Sequence, residues 1–313
     1  MVFMGTPQFA VASLEKVVQA GHQVVGVVTQ PDRPKGRGKK LAPSPVKNRA
    51  MELGLDIYQP ERVKEAQFVQ VLKRLNPEVI VVVAYGQILS KEILNLPPLG
   101  CINVHASLLP KYRGAAPIHW AIINGETETG ITTMLMDQGM DTGDMLLKAK
   151  VEIGQDTTTG ELHDLLADLG GQVLLETLVK IANGEIKPEP QNNDQASYAP
   201  LLKKEHEKIE WNDSAKNIHN LVRGMNPWPG AYTFLRDTRI KIWQTLLKEI
   251  KTLQDGRPGE ILEISEDGIW VQTGNKPLLV SKLQPAGKNV MSARDFFNGY
   301  GISIGQFLGE DHE

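Results

Sequence analysis

Apolar residues arrive in short bursts punctuated by glycine and proline, and the period of those bursts changes along the chain. Val2-Phe3-Met4 predicts a first strand. Gly5-Thr6-Pro7 turns it into a helix from about Phe9 to Ala20, with Leu14, Val17 and Val18 on its apolar face. Val24 to Thr29 is a second buried strand, and this β-α-β opening predicts a doubly wound sheet. A helix from Val46 to Leu53, a short strand at Leu55 to Tyr58, and a helix carrying Phe68, Val71, Leu72 and Leu75 on one face continue the alternation. Val79 to Ala84 is apolar on both faces, as a central parallel strand is. Further strands are expected at Ile102 to His105, Gly130 to Met136 and Met145 to Ile153, with a short helix at Pro117 to Ile123. Thr158-Thr159-Gly160-Glu161 reads as a capping box. It opens a helix to about Asn183 whose Leu162, Leu165, Leu166 and Leu169 form an apolar stripe, with His163 on the solvated side.

From Glu185 to Pro200 the periodicity disappears into proline and side-chain amides, which marks a linker. Beyond Lys203 the period shortens. A helix from Ser214 to Met225 precedes five alternating segments: Ala231 to Leu235, Ile240 to Leu246, Gly259 to Ile264, Gly268 to Thr273 and Pro277 to Leu283. Five short strands separated by turn residues predict a small barrel. The expected organisation is an α/β protein. Residues 1–184 form a Rossmann-like, doubly wound parallel sheet, 185–202 a linker, and 203–313 an OB-like β-barrel domain.

Composition changes this picture little. The 313 residues are 41% hydrophobic and 23% charged, which excludes disordered and collagen-like classes. A single cysteine, Cys101, rules out internal disulfides and points to a reducing cytoplasm; its apolar neighbours make it a small buried hydrophobe. No apolar run reaches the roughly 18 residues of a membrane span, and no secretory signal precedes the first strand. Net charge is −3, with 15 basic and 16 acidic residues after residue 190, so any nucleic-acid contact must come from a local patch.

Candidate chemistry gathers at two strand ends. Side chains alternate along a strand, so Asn103 and His105 share a face where the strand runs out into Ser107-Leu108-Leu109-Pro110. Ligands bind at such ends in parallel sheets. The segment Met136 to Asp144 offers carboxylates, Asp141 among them, on a glycine-hinged loop. If the loops meet, an amide donor, a base and an acid surround one centre, which is the equipment of acyl transfer. The dinucleotide fingerprint and the Walker pattern are absent, and no His/Cys spacing suits a metal, so none is expected. Between Gln30 and Pro45 lies a long, glycine-hinged loop in which Arg33, Lys35, Arg37, Lys39 and Lys40 put five cations in eight residues. By itself such a run is a solvated surface. In a chain that handles RNA it becomes an arm for a phosphate backbone.

Asn103-x-His105, the Ser107-Leu108-Leu109-Pro110 loop and the acidic loop with Asp141 resemble the folate-dependent formyltransferases, whose catalytic set is an Asn, a His and an Asp in this order. Tyr112 to Ile118, Gln30 to Pro34 and Gln284 to Lys288 extend the resemblance from Gly5 to about Asn298. Purine-pathway members carry Pro after the catalytic His, where this chain has Ala106. The resemblance implies transfer of a formyl group from 10-formyltetrahydrofolate, the co-substrate, to the α-amine of methionyl initiator tRNA. It implies Asn103, His105 and Asp141 as catalytic residues. Val83, Ala84, Tyr85, Ser107, Leu108, Leu109 and Pro110 would wall the folate pocket, and Arg33, Lys35, Arg37, Lys39 and Lys40 would contact tRNA. A monomer without a membrane partner is expected. Two other readings stay open: formyl transfer to a sugar nucleotide or hydrolysis of formyl-folate, which would not need the basic arm, and a tRNA-binding protein with a degenerate site.

Overall fold

The computed structural model describes residues 1–35, 40–248 and 256–309, except for the side chains of Lys35 and Lys40. The chain forms two compact units. One comprises Met1–Pro117, Glu128–Val151 and His163–Ala199; the other comprises Ile118–Thr127, Glu152–Leu162 and Pro200–Glu313.

In chain order, β1 (Val2–Gly5), α1 (Phe9–Gln19) and β2 (Gly26–Val28) lead into a hairpin of β3 (Arg33–Lys35) and β4 (Lys40–Ala42). Next come α2 (Pro45–Glu52), β5 (Ile57–Tyr58), α3 (Ala66–Leu75), β6 (Ile80–Val83), α4 (Lys91–Leu94) and β7 (Cys101–His105). Then follow β8 (Arg113–Gly114), α5 (Pro117–Ile123), β9 (Glu128–Leu135), β10 (Met145–Glu152), α6 (Thr159–Ala182) and β11 (Tyr198–Ala199). The main sheet has the order β10-β9-β7-β6-β1-β2-β5. Pairings from β7 to β5 are parallel, whereas β9 runs antiparallel to β7, so the sheet is parallel-dominated rather than wholly parallel. Both faces of the parallel strands are covered, which is why Ile80–Val83 is apolar throughout and buried. Ser44 caps α2 by accepting from the Lys47 amide at 3.0 Å, and Pro45 occupies the first turn, where its missing N–H costs nothing.

Four local expectations change. The basic segment between Gln30 and Pro45 is not an open loop: Arg33↔Ala42, Pro34↔Leu41 and Lys35↔Lys40 pair antiparallel. On α6 the buried line runs through Leu162, Leu166, Val173 and Leu174, which leaves Leu165 at its margin, 50% exposed. His163 is half-buried rather than fully solvated; its ring meets Phe9 edge-on at 5.5 Å. The segment after Glu185, read as a linker, is tied to the first unit. Its β11 pairs in parallel with β8, and the Glu189 and Met145 backbones exchange hydrogen bonds at 2.8 and 2.9 Å.

In the second unit α7 (Ala215–Gly224) precedes β12 (Tyr232–Leu235), β13 (Thr238–Leu246), β14 (Ile261–Ile264), β15 (Ile269–Val271), β16 (Leu278–Pro285), β17 (Met291–Ser292) and α8 (Ala293–Tyr300). The strands form an antiparallel sheet, β12-β13-β16-β15-β14, with β17 on β16. Ile240, Ile242, Ile269, Val271 and Val280 alternate inward and meet Ile218 and Val222 of α7. Residues 305–309 bond to both outer strands: Gly305 N donates to Ile261 O and Gly309 N to Phe234 O, each at 2.8 Å. The sheet is therefore curled.

Candidate active site

Parallel neighbours end at the same edge. Because Val82 is registered with Asn103, the chain leaves β6 into Ala84-Tyr85 and leaves β7 into Ala106 to Pro110 on one side of the sheet. Alternation puts Asn103 and His105 on a common face, and the Met136 to Asp144 loop folds back to meet them. Asn103 Nδ2 lies 3.4 Å from Asp141 Oδ1, and His105 Nδ1 lies 3.7 Å from Asp141 Oδ2. Oδ2 also accepts from the Gly114 amide at 2.8 Å. His105 Nε2 is 2.9 Å from the Tyr112 carbonyl oxygen. A carbonyl only accepts, so Nε2 carries a proton and Nδ1 is the nitrogen that faces the acid.

Local geometry fixes this meeting. Asp141 has φ 54°, in the left-handed region that aspartate tolerates better than bulky residues do. Asp137 anchors the loop by accepting from Gly139 N at 3.0 Å and from Thr142 Oγ1 at 2.7 and 2.9 Å. A Cβ on Gly143 would collide with the Leu135 carbonyl oxygen, so only glycine lets the loop lie so close to β9. Gly114 has φ 119°, and a Cβ there would come within 2.8 Å of Ala199 O. Its lack of a side chain lets β8 approach β11 while its N–H points at Asp141.

Of the residues expected to wall a folate pocket, Ala84 is exposed and Leu108 and Pro110 are half-buried. Val83, Tyr85, Ser107 and Leu109 are buried behind them. Ser107 holds the loop together: its Oγ donates to Lys111 O at 2.6 Å, and its own carbonyl accepts from Thr132 Oγ1 at 2.7 Å. Burial pushes the Tyr85 phenol above its ordinary range, and its hydroxyl has no hydrogen-bond partner among the described residues. Cys101 is a buried hydrophobe whose thiol is pushed up to about 12 by burial, so it is no nucleophile. Arg33 is two-thirds exposed and lies 3.8 Å from Glu61. Lys35 and Lys40 are Cα partners across the hairpin, while Arg37 and Lys39 lie outside the described residues.

Sequence reasoning missed the supporting groups. The Tyr112 carbonyl and Gly114 amide are backbone atoms with no signature in residue identity. Arg113, buried, sends Nε and Nη2 to Gln191 Oε1 at 3.0 and 2.8 Å, and Nη2 to Asn193 Oδ1 at 2.9 Å. Gln191 Nε2 reaches Asp141 O and Gly143 O at 2.8 and 2.7 Å. The run Gln191-Asn192-Asn193 is the visible signal, although its composition is also that of a linker.

A strand-end Asn and His facing a loop Asp, on a parallel-dominated sheet followed by a curled antiparallel one, define a group-transfer enzyme of the formyl transferase type. The family model "Formyl transferase" matches residues 1–178, and "Formyl transferase, C-terminal domain" matches 201–301, so the chain belongs to the formyl transferase family. Among its relatives, the methionyl-tRNA formyltransferase of Ruminiclostridium cellulolyticum is 50% identical over 99% of each chain. That of Desulforamulus reducens is 54% identical over 99% of this chain and 97% of its own. HypX from Aquifex aeolicus, solved in complex with tetrahydrofolic acid, shares the fold at TM-score 0.65 and 16% identity over 97% of this chain. The chain spans about half of HypX, 47% of its length. No described helix is long and apolar enough to cross a membrane.

Proposed function

We propose that the protein transfers a formyl group from 10-formyltetrahydrofolate to the α-amine of methionyl initiator tRNA, giving N-formylmethionyl-tRNA in the cytoplasm. The observation that carries this reading is the convergence of Asn103, His105 and Asp141 at the sheet edge. Half-identity to methionyl-tRNA formyltransferases over nearly the whole chain supplies the acceptor.

The amine attacks the formyl carbon, and negative charge grows on the formyl oxygen as that carbon becomes tetrahedral. Asn103 Nδ2, with only a long contact to Asp141, is the donor available to that oxygen. His105 keeps its Nε2 proton on the Tyr112 carbonyl, so Nδ1, beside Asp141, is the atom that exchanges protons. The Gly114 amide holds Asp141 Oδ2 toward that nitrogen. One proton leaves the attacking amine and one arrives on folate N10 as its C–N bond breaks, so the His105–Asp141 pair returns to its starting state. The folate lies along the edge presented by Ala84, Leu108 and Pro110, with Val83, Tyr85, Ser107 and Leu109 shaping it from behind.

Arg33, Lys35 and Lys40 on the hairpin, with Arg37 and Lys39 between them in sequence, form the tRNA arm. The curled C-terminal sheet is read as an OB-like barrel that adds backbone contacts to the same tRNA, and the enzyme works as a monomer. No metal takes part in this reading.

The test is incubation with 10-formyltetrahydrofolate and methionyl initiator tRNA. Formyl-methionine on the RNA is the expected product. Formate release without RNA dependence, or formylation of an amino-sugar nucleotide in its place, overturns the assignment. The arm is tested by changing Arg37, Lys39 and Lys40 together to Ala. Losing three phosphate contacts lowers the slope of log K against log salt by about 2. Folate affinity stays as it was, and an unchanged slope returns the hairpin to a solvated surface.

A further inference from the structure

We propose that Gln191 is a positioning residue for the transfer: its amide clamps the Asp141 loop, and the buried Arg113 guanidinium locks that amide. This rests on the reading of Asp141 as a group that faces the reacting centre.

The orientation of the Gln191 amide follows from its partners. The guanidinium of Arg113 can only donate, so the oxygen of Gln191 faces Arg113. The carbonyls of Asp141 and Gly143 can only accept, so the nitrogen faces them and both of its hydrogens are used. Glutamate could take the Arg113 bonds but would turn an acceptor toward two carbonyls. Methionine could do neither.

The bonds close a ring. Arg113 fixes Gln191, and Gln191 holds the backbone of Asp141; Gly114, next to Arg113 on β8, holds the carboxylate of Asp141 through its own amide. Pairing of β8 with β11 secures the segment that delivers Gln191. Asp141 is thus gripped at its carbonyl and at its side chain while its backbone sits at φ 54°, a conformation that needs outside support. Among the described residues the Arg113 side chain meets no carboxylate, only the amide oxygens of Gln191 and Asn193. A buried cation spent on two side-chain amides makes sense if one of them has work to do. The stretch read from sequence as a linker is then a strap that sets the acid.

The test uses full-length Gln191→Glu, which keeps a partner for Arg113 and removes the clamp. A misplaced catalytic group can cost about 10²-fold, so kcat is expected to fall about 10- to 100-fold while KM for both substrates changes less than threefold. The same substitution in an Asp141→Asn background is expected to change residual single-turnover rates less than threefold, because the clamp acts through the carboxylate. An equal loss in both backgrounds, or wild-type kcat in the single variant, overturns the proposal. Hydrogen–deuterium exchange gives a readout that needs no turnover. Amides of the Met136 to Asp144 loop exchange faster in Gln191→Glu while those of β7 do not, and unchanged loop exchange also overturns it. If wild-type protein moves no formyl group, the functional reading fails, and the exchange experiment still decides whether the clamp exists.

Discussion

His105 in the first unit and His219 in the second are hidden from solvent to nearly the same degree, 5% and 3% exposed, yet their surroundings treat them differently. Around His219 the polar groups saturate one another. His219 Nδ1 lies 2.9 Å from Thr245 Oγ1 and its Nε2 3.1 Å from Gln155 O. One turn along α7, Arg223 donates to Asn220 Oδ1, Gly154 O and Thr157 O at 2.8 to 3.2 Å. A cavity of about 330 Å³ lies beside these residues, lined also by Trp243 and Lys282. It is a space whose buried walls have already spent their hydrogen bonds. In the first unit the supporting bonds are short, but the contacts among Asn103, His105 and Asp141 stand off at 3.4 and 3.7 Å. Tight scaffolding around loosely engaged groups leaves capacity for a substrate. That spare capacity separates a reaction centre from a structural network more sharply than burial or cavity volume does.

The largest effects that test this contrast are on rate. Asn103→Ala removes the proposed oxyanion donor and is expected to lower kcat by about 10² to 10³. His105→Ala is expected to cost about 10² to 10⁴, since it removes the proposed proton-transfer partner. Asp141→Asn keeps the shape, loses the charge and impairs turnover severely. In each case melting temperature should stay within a few degrees of wild type, because Asn103 makes only a long contact, Asp141→Asn keeps an acceptor for the Gly114 amide, and His105→Ala gives up one short bond, to the Tyr112 carbonyl. A variant that loses stability in proportion to its rate would erase the distinction.

What could be read in the sequence was local. Asn103 and His105 announce themselves through alternation on one strand, and Asp141 through a glycine-hinged acidic loop. Strand and helix positions follow from apolar period for the same reason. The Gln191 clamp joins residues 50 apart, through an amide whose composition suggested a linker, so no local pattern revealed it. A dense charge run and two glycines suggest an open loop, yet Arg33–Lys35 pairs with Lys40–Ala42; glycines between two short segments are equally a hairpin signal in sequence. Leu165 fitted the stripe on spacing alone, but which edge of a stripe is covered depends on tertiary neighbours.

Smaller in effect, and acting on stability instead of rate, is Arg223→Met. Burial pulls this guanidinium below its ordinary range, and its bonds to two carbonyls and Asn220 compensate. Hydrogen bonds to charged groups are worth about 1.5–3 kcal/mol each, so loss of the set should cost at least about 3 kcal/mol. Denaturant unfolding should report that loss while affinity for the formyl donor is unchanged. If donor affinity falls and stability holds, the second unit's network is not the saturated scaffold its distances indicate.

The smallest expected effect is a change in pH dependence at His219. Burial is the largest influence on this ring and lowers its pKa from the ordinary 6.5, outweighing the hydrogen bond to Gln155 and the nearby Asp156 carboxylate. Asp156 stands 3.5 Å from Nε2 but is largely exposed, so water screens its pull. The folded protein therefore holds a neutral ring at a pH where the unfolded chain has begun to bind a proton. Stability rises with pH wherever the unfolded state binds more protons. The contribution of His219 is thus fully present above about pH 6.5 and is lost as pH falls from there toward the depressed folded value. His219→Gln keeps polar atoms near Thr245 and cannot titrate. It should be less stable than wild type at pH 7.5, because one or both ring bonds are weakened, yet lose less stability between pH 6.5 and 5. Thermal melts of both proteins across that range make the measurement. Parallel curves would mean that the folded and unfolded chains bind the His219 proton equally well, so that burial does not depress this ring.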